Sequence, residues 1–359
     1  MNNKTLYVCY ASSDYYARET GISMLGFFDN NPDYEPDVIF ILDYGILPSN
    51  KEKLNGIASD YGKRIEYLPA KSILETIQHE LNLNNFRGSL ATYSRAFIDK
   101  IMPEYVERLL YIDSDTVVVG SVSELKRFEM GDAVMAGCIT EVFANDIKKG
   151  KTVLYSNNDI YIGCGIVLFD LRNWREKNCY MLIESILHKK KKFPCADQTL
   201  INNSIPDKYF KRIPRKYNYS FHFFNEHIER KIMSEGDWNS HEEIEEAINH
   251  PVIIHYPGFP INRPWYEGCC SRRKDDYYKY KELSPWRETP LYSLDEYKTS
   301  LNTINKKVGD WIHLQEINSR SYLWLCFVKK MRSGIGVLFR QLGMSPSLAS
   351  EGIEKHTQH

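Results

Sequence analysis

The 359-residue chain has little of several features that would place it quickly, and each lack excludes something. Charge of one sign is missing. Its 46 basic residues meet 47 acidic ones, and a formal net charge of -1 creates no global field for nucleic acid. No apolar run approaches the roughly 18 residues that a membrane-spanning helix requires. The opening MNNKTLYVCY has no cationic stretch leading into an apolar segment, so no secretory signal is read and a cytosolic location is expected. Cysteines occur at 9, 138, 164, 179, 195, 269, 270 and 326 without any CxxC spacing, which argues for reduced thiols and against zinc. Repeats and low-complexity segments are absent as well.

Tyrosine is plentiful. The chain has 25, within an aromatic fraction of 13%. Such side chains suit sugars and other amphipathic ligands, although they also fill cores. Short apolar runs read as strands at 5–10, 37–42, 64–68, 108–113, 133–138, 165–170 and 251–256. Helical spacing lies between them at Tyr16–Phe28, Lys51–Tyr61, Ala70–Leu83 and Ser89–Ile101, with Asp14 as candidate N-cap of the first. This alternation predicts an α/β fold, a sheet with helices on both faces, whose ligands bind beyond the carboxyl ends of the strands. Past about residue 270 the chain becomes polar and aromatic and then helical. We therefore divide it into 1–270 and a C-terminal extension, 271–359. Between Arg320 and Leu342 five basic and no acidic residues interleave with aromatic and aliphatic ones, the composition of an interfacial segment on an anionic surface. Gly334 and Gly336 suggest two short helices there.

The stretch RLLYIDSDTVVVGSVSEL, 108–125, ends an apolar run in Asp113 and Asp115. Residues i and i+2 share a strand face, so both carboxylates point one way if the strand continues through them. Close like charges raise each other's pKa unless a cation lies between them, and such oxygens suit Mg2+ or Mn2+. Three readings follow. The aspartates cap a turn and face water; or DSDTV is the DxDx(T/V) of haloacid-dehalogenase-like phosphatases, with Asp113 as nucleophile; or they hold a metal for a nucleotide sugar.

Five further segments accompany this one in order: YASSDYYA (10–17), ATYSRAFIDKIMP (91–103), YIGCGIVLFDLRNWR (161–175), CADQTLIN (195–202) and IIHYPGFPINRPW (253–265). Together the six resemble the motif series of retaining glycosyltransferases of family 8, the galactosyl- and glucosyltransferases of bacterial surface polysaccharides and relatives of glycogenin. The resemblance implies a GT-A fold, a UDP-sugar donor, Mn2+ or Mg2+, and transfer of a hexose to a saccharide or lipid-linked saccharide acceptor with retention of configuration. It assigns Asp113, Asp115 and His255 to the metal, and Ala11, Ser12, Ser13, Asp14, Tyr15 and Tyr16 to uracil and ribose. Arg95, Asp113, Ser114, Gly165, Gly258 and Arg263 fall to the rest of the donor, and Asp197 and Gln198 to the anomeric centre. Arg263 stands where the family commonly has lysine, and Gly163 where it usually has asparagine. A donor-sugar contact is therefore missing from that position, and the rival reading is a saccharide- or nucleotide-binding protein of the same fold that has lost catalysis.

Overall fold

The computed structural model describes residues 5–83, 90–141, 160–189, 193, 195–258, 260–293, 315 and 319–341. Its main sheet contains β1 (Tyr7–Ser12), β2 (Val38–Asp43), β3 (Arg64–Leu68), β4 (Arg108–Asp113), β6 (Met135–Ile139), β7 (Ile162–Asp170) and β8 (Phe210–Arg212), in the order β3-β2-β1-β4-β7-β6-β8. β5 (Thr116–Val118) and β9 (Ile253–His255) form a separate antiparallel pair. Neighbours from β3 to β4 run parallel, β7 runs against both β4 and β6, and β8 is parallel to β6.

Continuous apolar strands need cover on both faces, and here they have it. Successive side chains alternate between two hydrophobic clusters. Val8 and Tyr10 of β1, Ile39 and Ile41 of β2, and Leu110 and Ile112 of β4 enter one cluster. Cys9, Phe40, Leu42, Leu109 and Tyr111 enter the other. Helices α1 (Ala17–Asn30) and α2 (Pro48–Asp60) contribute to the first, and α3 (Ala70–Leu81) to the second. Short helices α4 (Ile98–Ile101), α5 (Ser123–Arg127) and α6 (Leu171–Glu176) follow. Next come α7 (Cys179–Lys189) and α8 (Ala196–Ser204) on the second face, then α9 (Glu226–Met233), α10 (His241–Asn249) and α11 (Lys274–Leu283). Tyr277 and Tyr280 of α11, with Trp286, join the first cluster. The last described helix is α12 (Tyr322–Gln341). Among the described residues, no helix is long and apolar enough to cross a membrane.

Several expectations need correction. Ser89 lies outside the described residues, and 90–101 is not one helix: a 3-10 turn at Ala91–Tyr93 and α4 flank the bend that carries Arg95. Asp14 does not cap α1, whose N-cap is Tyr16 without a side-chain bond; its carboxylate accepts from Leu47 N–H and Asn50 Nδ2 at the start of α2. The apolar run 251–256 gives only the three-residue β9, outside the main sheet, while β8 carried no expectation. Gly334 and Gly336 do not split α12, because an isolated glycine costs a helix only about 1 kcal/mol. Leu342 lies outside the described residues.

Candidate active site

Parallel pairing of β1 and β4 sets Ala11 beside Asp113, so the two strand tips form one edge of a crevice. β4 ends at Asp113, and Ser114 and Asp115 turn into β5. The carboxylates therefore converge through a turn, not through strand alternation. Thr116 of β5 pairs with His255 of β9, and Tyr256 N–H donates to the Asp115 carbonyl at 2.8 Å. This pairing delivers a histidine from 140 residues downstream. Ligand atoms of Asp113, Asp115 and His255 all lie within 4.8 Å of one another.

Three further charged side chains, Arg95, Asp197 and Arg263, surround the trio. Arg95 Nη1 donates to both oxygens of Asp113, at 2.8 and 2.9 Å, while its Nε and Nη2 donate to the two oxygens of buried Asp197. The same Nη1 reaches the Cys164 carbonyl at 2.9 Å, and Tyr111 Oη donates to Asp113 at 3.0 Å. His255 Nε2 is 3.1 Å from Asp115 Oδ1 and 3.9 Å from Asp113 Oδ2. Arg263 Nη2 approaches Asp115 Oδ2 at 3.5 Å, and its Nη1 donates to Tyr16 Oη at 3.1 Å.

Three carboxylates here face two guanidiniums and one imidazole. Burial raises the Asp113 carboxyl above its usual range despite Arg95, and the neighbouring Asp115 adds to the rise. Burial also works to raise Asp115, but His255 and Arg263 outweigh it and hold this group low. Asp197 is pushed up to about 6 by burial, against the pull of Arg95. Two carboxylate oxygens and one imidazole nitrogen, with negative charge in excess over the fixed cations, fit a divalent ion such as Mn2+.

β7 supplies the opposite wall. Its N-terminal residues extend past the end of β4, since Ile112 pairs with Ile166. Backbone groups beyond that point need other partners. α8 provides them: Asn202 both accepts from Ile162 N–H and donates to the Ile162 carbonyl, at 2.8 and 2.9 Å, and Gln198 Oε1 accepts from Cys164 N–H at 3.0 Å. Ala196 stands just before Asp197 with φ of 47°, a left-handed conformation that β-carbon residues rarely adopt. Gly165 is dictated by close approach. A Cβ there would lie 2.4 Å from His255 Cε1 and 3.3 Å from Asp113 Oδ2.

Asp113, Ser114, Asp115, His255, Arg95, Asp197, Gln198, Gly165, Arg263, Ala11 and Tyr16 are thus gathered at one crevice. Others point elsewhere. Ser12 is buried, its hydroxyl donating to the Ser13 carbonyl and accepting from Thr20, which also bonds the Ser114 hydroxyl. Tyr15 Oη bonds Tyr266 Oη at 2.7 Å, and its ring stacks on Tyr292. Gly258 has φ of 90°, which its lack of a side chain permits. Sequence reasoning missed Tyr111 and Asn218, the latter accepting from His255 Nδ1 through Oδ1 at 3.0 Å. Tyr111 was within reach, being two residues before Asp113 on one strand face. Nothing in RKYNYS marked Asn218.

Comparison with known proteins bears on the family and the fold. The chain is 24% identical over 295 residues to general stress protein A of Bacillus subtilis, covering 79% of this chain and 96% of that protein. It is 27% identical over 295 residues to a lipopolysaccharide 1,2-glucosyltransferase of Escherichia coli, covering 80% and 81%. The solved galactosyltransferase LgtC, in complex with donor and acceptor sugar analogs, shares the fold with a TM-score of 0.60 at 18% identity, over 78% of this chain and 99% of that one. The model of the family "Glycosyl transferase family 8" matches residues 7–269. The phosphatase alternative for Asp113 falls with that match, and the chain, a glycosyltransferase of GT-A architecture, belongs to glycosyl transferase family 8.

Proposed function

We propose that the protein transfers a hexose, glucose or galactose, from a UDP-sugar to a saccharide acceptor of cell-surface polysaccharide or lipopolysaccharide, with Mn2+ or Mg2+ and retention of anomeric configuration. The observation that carries this reading is the convergence of Asp113, Asp115 and His255 between Arg95 and Arg263 at the tips of β1 and β4. Those three residues would hold the cation, which when bound stabilises negative charge growing on the departing diphosphate. Arg263, turned toward Asp115 and Tyr16, extends positive charge along the expected path of the diphosphate. The segment from Ala11 to Tyr16 comprises the β1 tip and the turn after it, where uracil and ribose would sit.

Gln198 argues for front-face chemistry. Its amide oxygen already accepts the Cys164 N–H, and an amide so engaged is a poor nucleophile. The acceptor oxygen then bonds to the anomeric carbon on the face from which the phosphate leaves. The carbon–oxygen bond to the diphosphate breaks, and the acceptor proton passes to a phosphate oxygen. Asp197, held by two bonds from Arg95, would accept from sugar hydroxyls through its remaining lone pairs.

The test is UDP release from a panel of UDP-sugars, with Mn2+ and with EDTA, for the wild type and Asp115→Ala. Metal-dependent release from one sugar, lost in the variant, supports the reading and names the donor. UDP binding without release from any donor–acceptor combination would favour the binding-protein alternative.

For residues 271–359 we propose an extension that works at the inner face of a cell membrane. Leu325 of α12 packs with Ile228 and Ile232 of α9, while Leu323 (82% exposed), Trp324 and Phe327 face solvent beside Arg320, Lys329 and Lys330. Each basic residue near an anionic leaflet contributes about 1 kcal/mol. Deleting residues from about 318 onward is expected to release the protein from anionic vesicles; unchanged co-sedimentation would sink this idea.

A further inference from the structure

The turn that joins β1 to α1 is not fixed by its own side chains. Ser13, the cap of the 3-10 turn Asp14–Tyr16, and Tyr16, the cap of α1, make no side-chain capping bond. Two backbone bonds close the turn, Tyr16 N–H to Ser13 O at 3.1 Å and Ala17 N–H to Asp14 O. A helix start without side-chain caps opens readily unless distant groups hold it. Here they do. Asp14 is tied to α2, and Tyr15 is tied to the C-terminal extension, beyond the residues 7–269 that the family model matches.

The extension is fastened along α1. Trp286 packs so closely that a Cβ on Gly21 would lie 2.4 Å from its Cζ3. Its Nε1 donates to Asn50 Oδ1 at 3.3 Å, and Asn50 is the residue that bonds Asp14. Further on, the Pro290 carbonyl accepts from buried Arg18 Nη1 at 2.9 Å. The chain then runs beside the segment that follows Arg263. Tyr292 N–H donates to the Trp265 carbonyl at 2.8 Å, and Glu267 N–H to the Tyr292 carbonyl at 3.0 Å. With its backbone so held, the Tyr292 ring lies 5.4 Å from that of Tyr15, the planes 10° apart. The Arg18 guanidinium is 4.5 Å from the same ring. Both geometries are favourable for an aromatic face. Tyr15 Oη meanwhile bonds Tyr266 Oη at 2.7 Å, so Tyr15 is engaged by ring and hydroxyl alike.

We propose that Tyr292 is a positioning residue for the UDP moiety: stacked on Tyr15 and bonded to Trp265 and Glu267, it fixes the β1–α1 turn against the Arg263 segment, so that Tyr16 and Arg263 meet one nucleoside diphosphate together. Arg263 Nη1 already donates to Tyr16 Oη at 3.1 Å, so the two segments adjoin. Tyr15 then acts through Tyr292 and does not touch the nucleotide, unlike Tyr16 beside it. A turn held in its binding shape spares the ordering cost that binding would otherwise carry. This inference rests on the UDP-sugar reading above, and it brings part of the C-terminal extension into the donor site.

Full-length variants test it. Tyr292→Leu removes the stack, and Tyr292→Phe keeps it. Tyr280→Phe is the stability control, since it loses bonds to Asp29 and Asn30 at the other end of α1. Calorimetric titration of UDP in Mn2+ should show about 5- to 10-fold weaker binding by Tyr292→Leu, with wild-type affinity in Tyr292→Phe and Tyr280→Phe. Tyr15→Leu should weaken UDP by a similar factor, and the double variant of Tyr15→Leu with Tyr292→Leu no more than either alone. Hydrogen exchange read by NMR without nucleotide should run about 5- to 10-fold faster at the Tyr16 and Ala17 amides in Tyr292→Leu, and at the wild-type rate in Tyr280→Phe.

UDP bound equally by wild type and Tyr292→Leu, or weakened as much in Tyr280→Phe, overturns the positioning role. Losses that add in the double variant overturn the indirect role of Tyr15, because a residue that touched the nucleotide itself would contribute separately. Should Tyr292→Leu fail to fold, Tyr15→Leu removes the same stack from its other side, and unchanged exchange at Tyr16 and Ala17 then overturns the inference. A wild type that binds no UDP sinks the nucleotide reading, while exchange in the free protein separately judges whether Tyr292 holds the turn.

Discussion

The inner and outer halves of the crevice hold carboxylates by different means. Within, Asp197 is buried and its two oxygens meet Arg95, which also grips Asp113 and is itself buried. Toward the mouth, Asp115 keeps 17% side-chain exposure and shares His255 and Arg263 with solvent. The Arg95–Asp197 pair is over-determined, since Arg95 meets both Asp197 oxygens away from water, whereas Asp113, with 23% side-chain exposure, sits with Asp115 toward the mouth. The outer group retains slack, which the proposed metal ligands would need in order to exchange partners when a donor arrives. Burial thus divides residues that hold geometry from residues that change partners.

The sharpest way to break this comparison is to remove each guanidinium. Arg95→Leu leaves Asp197 and Asp113 without their cation and should cost about 3–5 kcal/mol of stability. Arg263→Leu, whose partner Asp115 keeps His255, should cost about 1–2 kcal/mol. Urea unfolding measures both, and equal losses would erase the distinction.

Next in size is Gly165→Ala. The new Cβ meets His255 Cε1 at a forbidden 2.4 Å, in a ring held by Asn218 and Asp115. A stability loss of about 1–3 kcal/mol is expected. Under the proposed metal reading, isothermal titration with Mn2+ should show at least about tenfold weaker binding, because the displaced histidine would be a ligand.

Acidity offers a subtler probe of the inner half. Asp197 is raised from 3.8 to about 6, so folding takes up a proton between those values. The associated stabilisation is full below about 3.8 and is lost as pH rises through 6. Relative to Asp197→Asn, the wild type should lose about 1–2 kcal/mol of stability between pH 5 and pH 8. A wild type that gains over that range would show that Arg95 outweighs burial.

Smallest is Asp14→Ala. Its bonds to Leu47 N–H and Asn50 are partly solvated, and their loss should cost about 0.5–1.5 kcal/mol. Measured beside it, UDP affinity separates a carboxylate that only braces α2 from one that also touches the nucleotide.

Much of this was legible in the chain. β2 and β4 fall within a residue of the apolar runs, because a strand buried on both faces must be largely apolar, and the edge strand β3 matches its run as well although only Leu68 in it is buried. The ordered motifs named the residues that converge. Bends and pairings were less readable. The 91–103 segment has helical spacing, but its chain breaks around Arg95 to aim the guanidinium at Asp113 and Asp197, and long-range ion pairing overrode local propensity. Asp14 has the right chemistry for a cap, yet the 3-10 turn after β1 points its carboxylate at α2. β8 is three residues long and only Phe210 is buried, so no hydrophobic pattern announces it.

By itself the sequence determined the alternation of strands and helices and the chemical identity of the site, because periodicity and residue type are local properties. The tertiary structure alone decided that a turn, not a strand, converges Asp113 and Asp115, that β9 leaves the main sheet to bring His255 against them, and that Asn218 stands behind that histidine. Those outcomes depend on pairings across 37 and 140 residues, where backbone hydrogen bonding and burial act together and no local pattern records the partner.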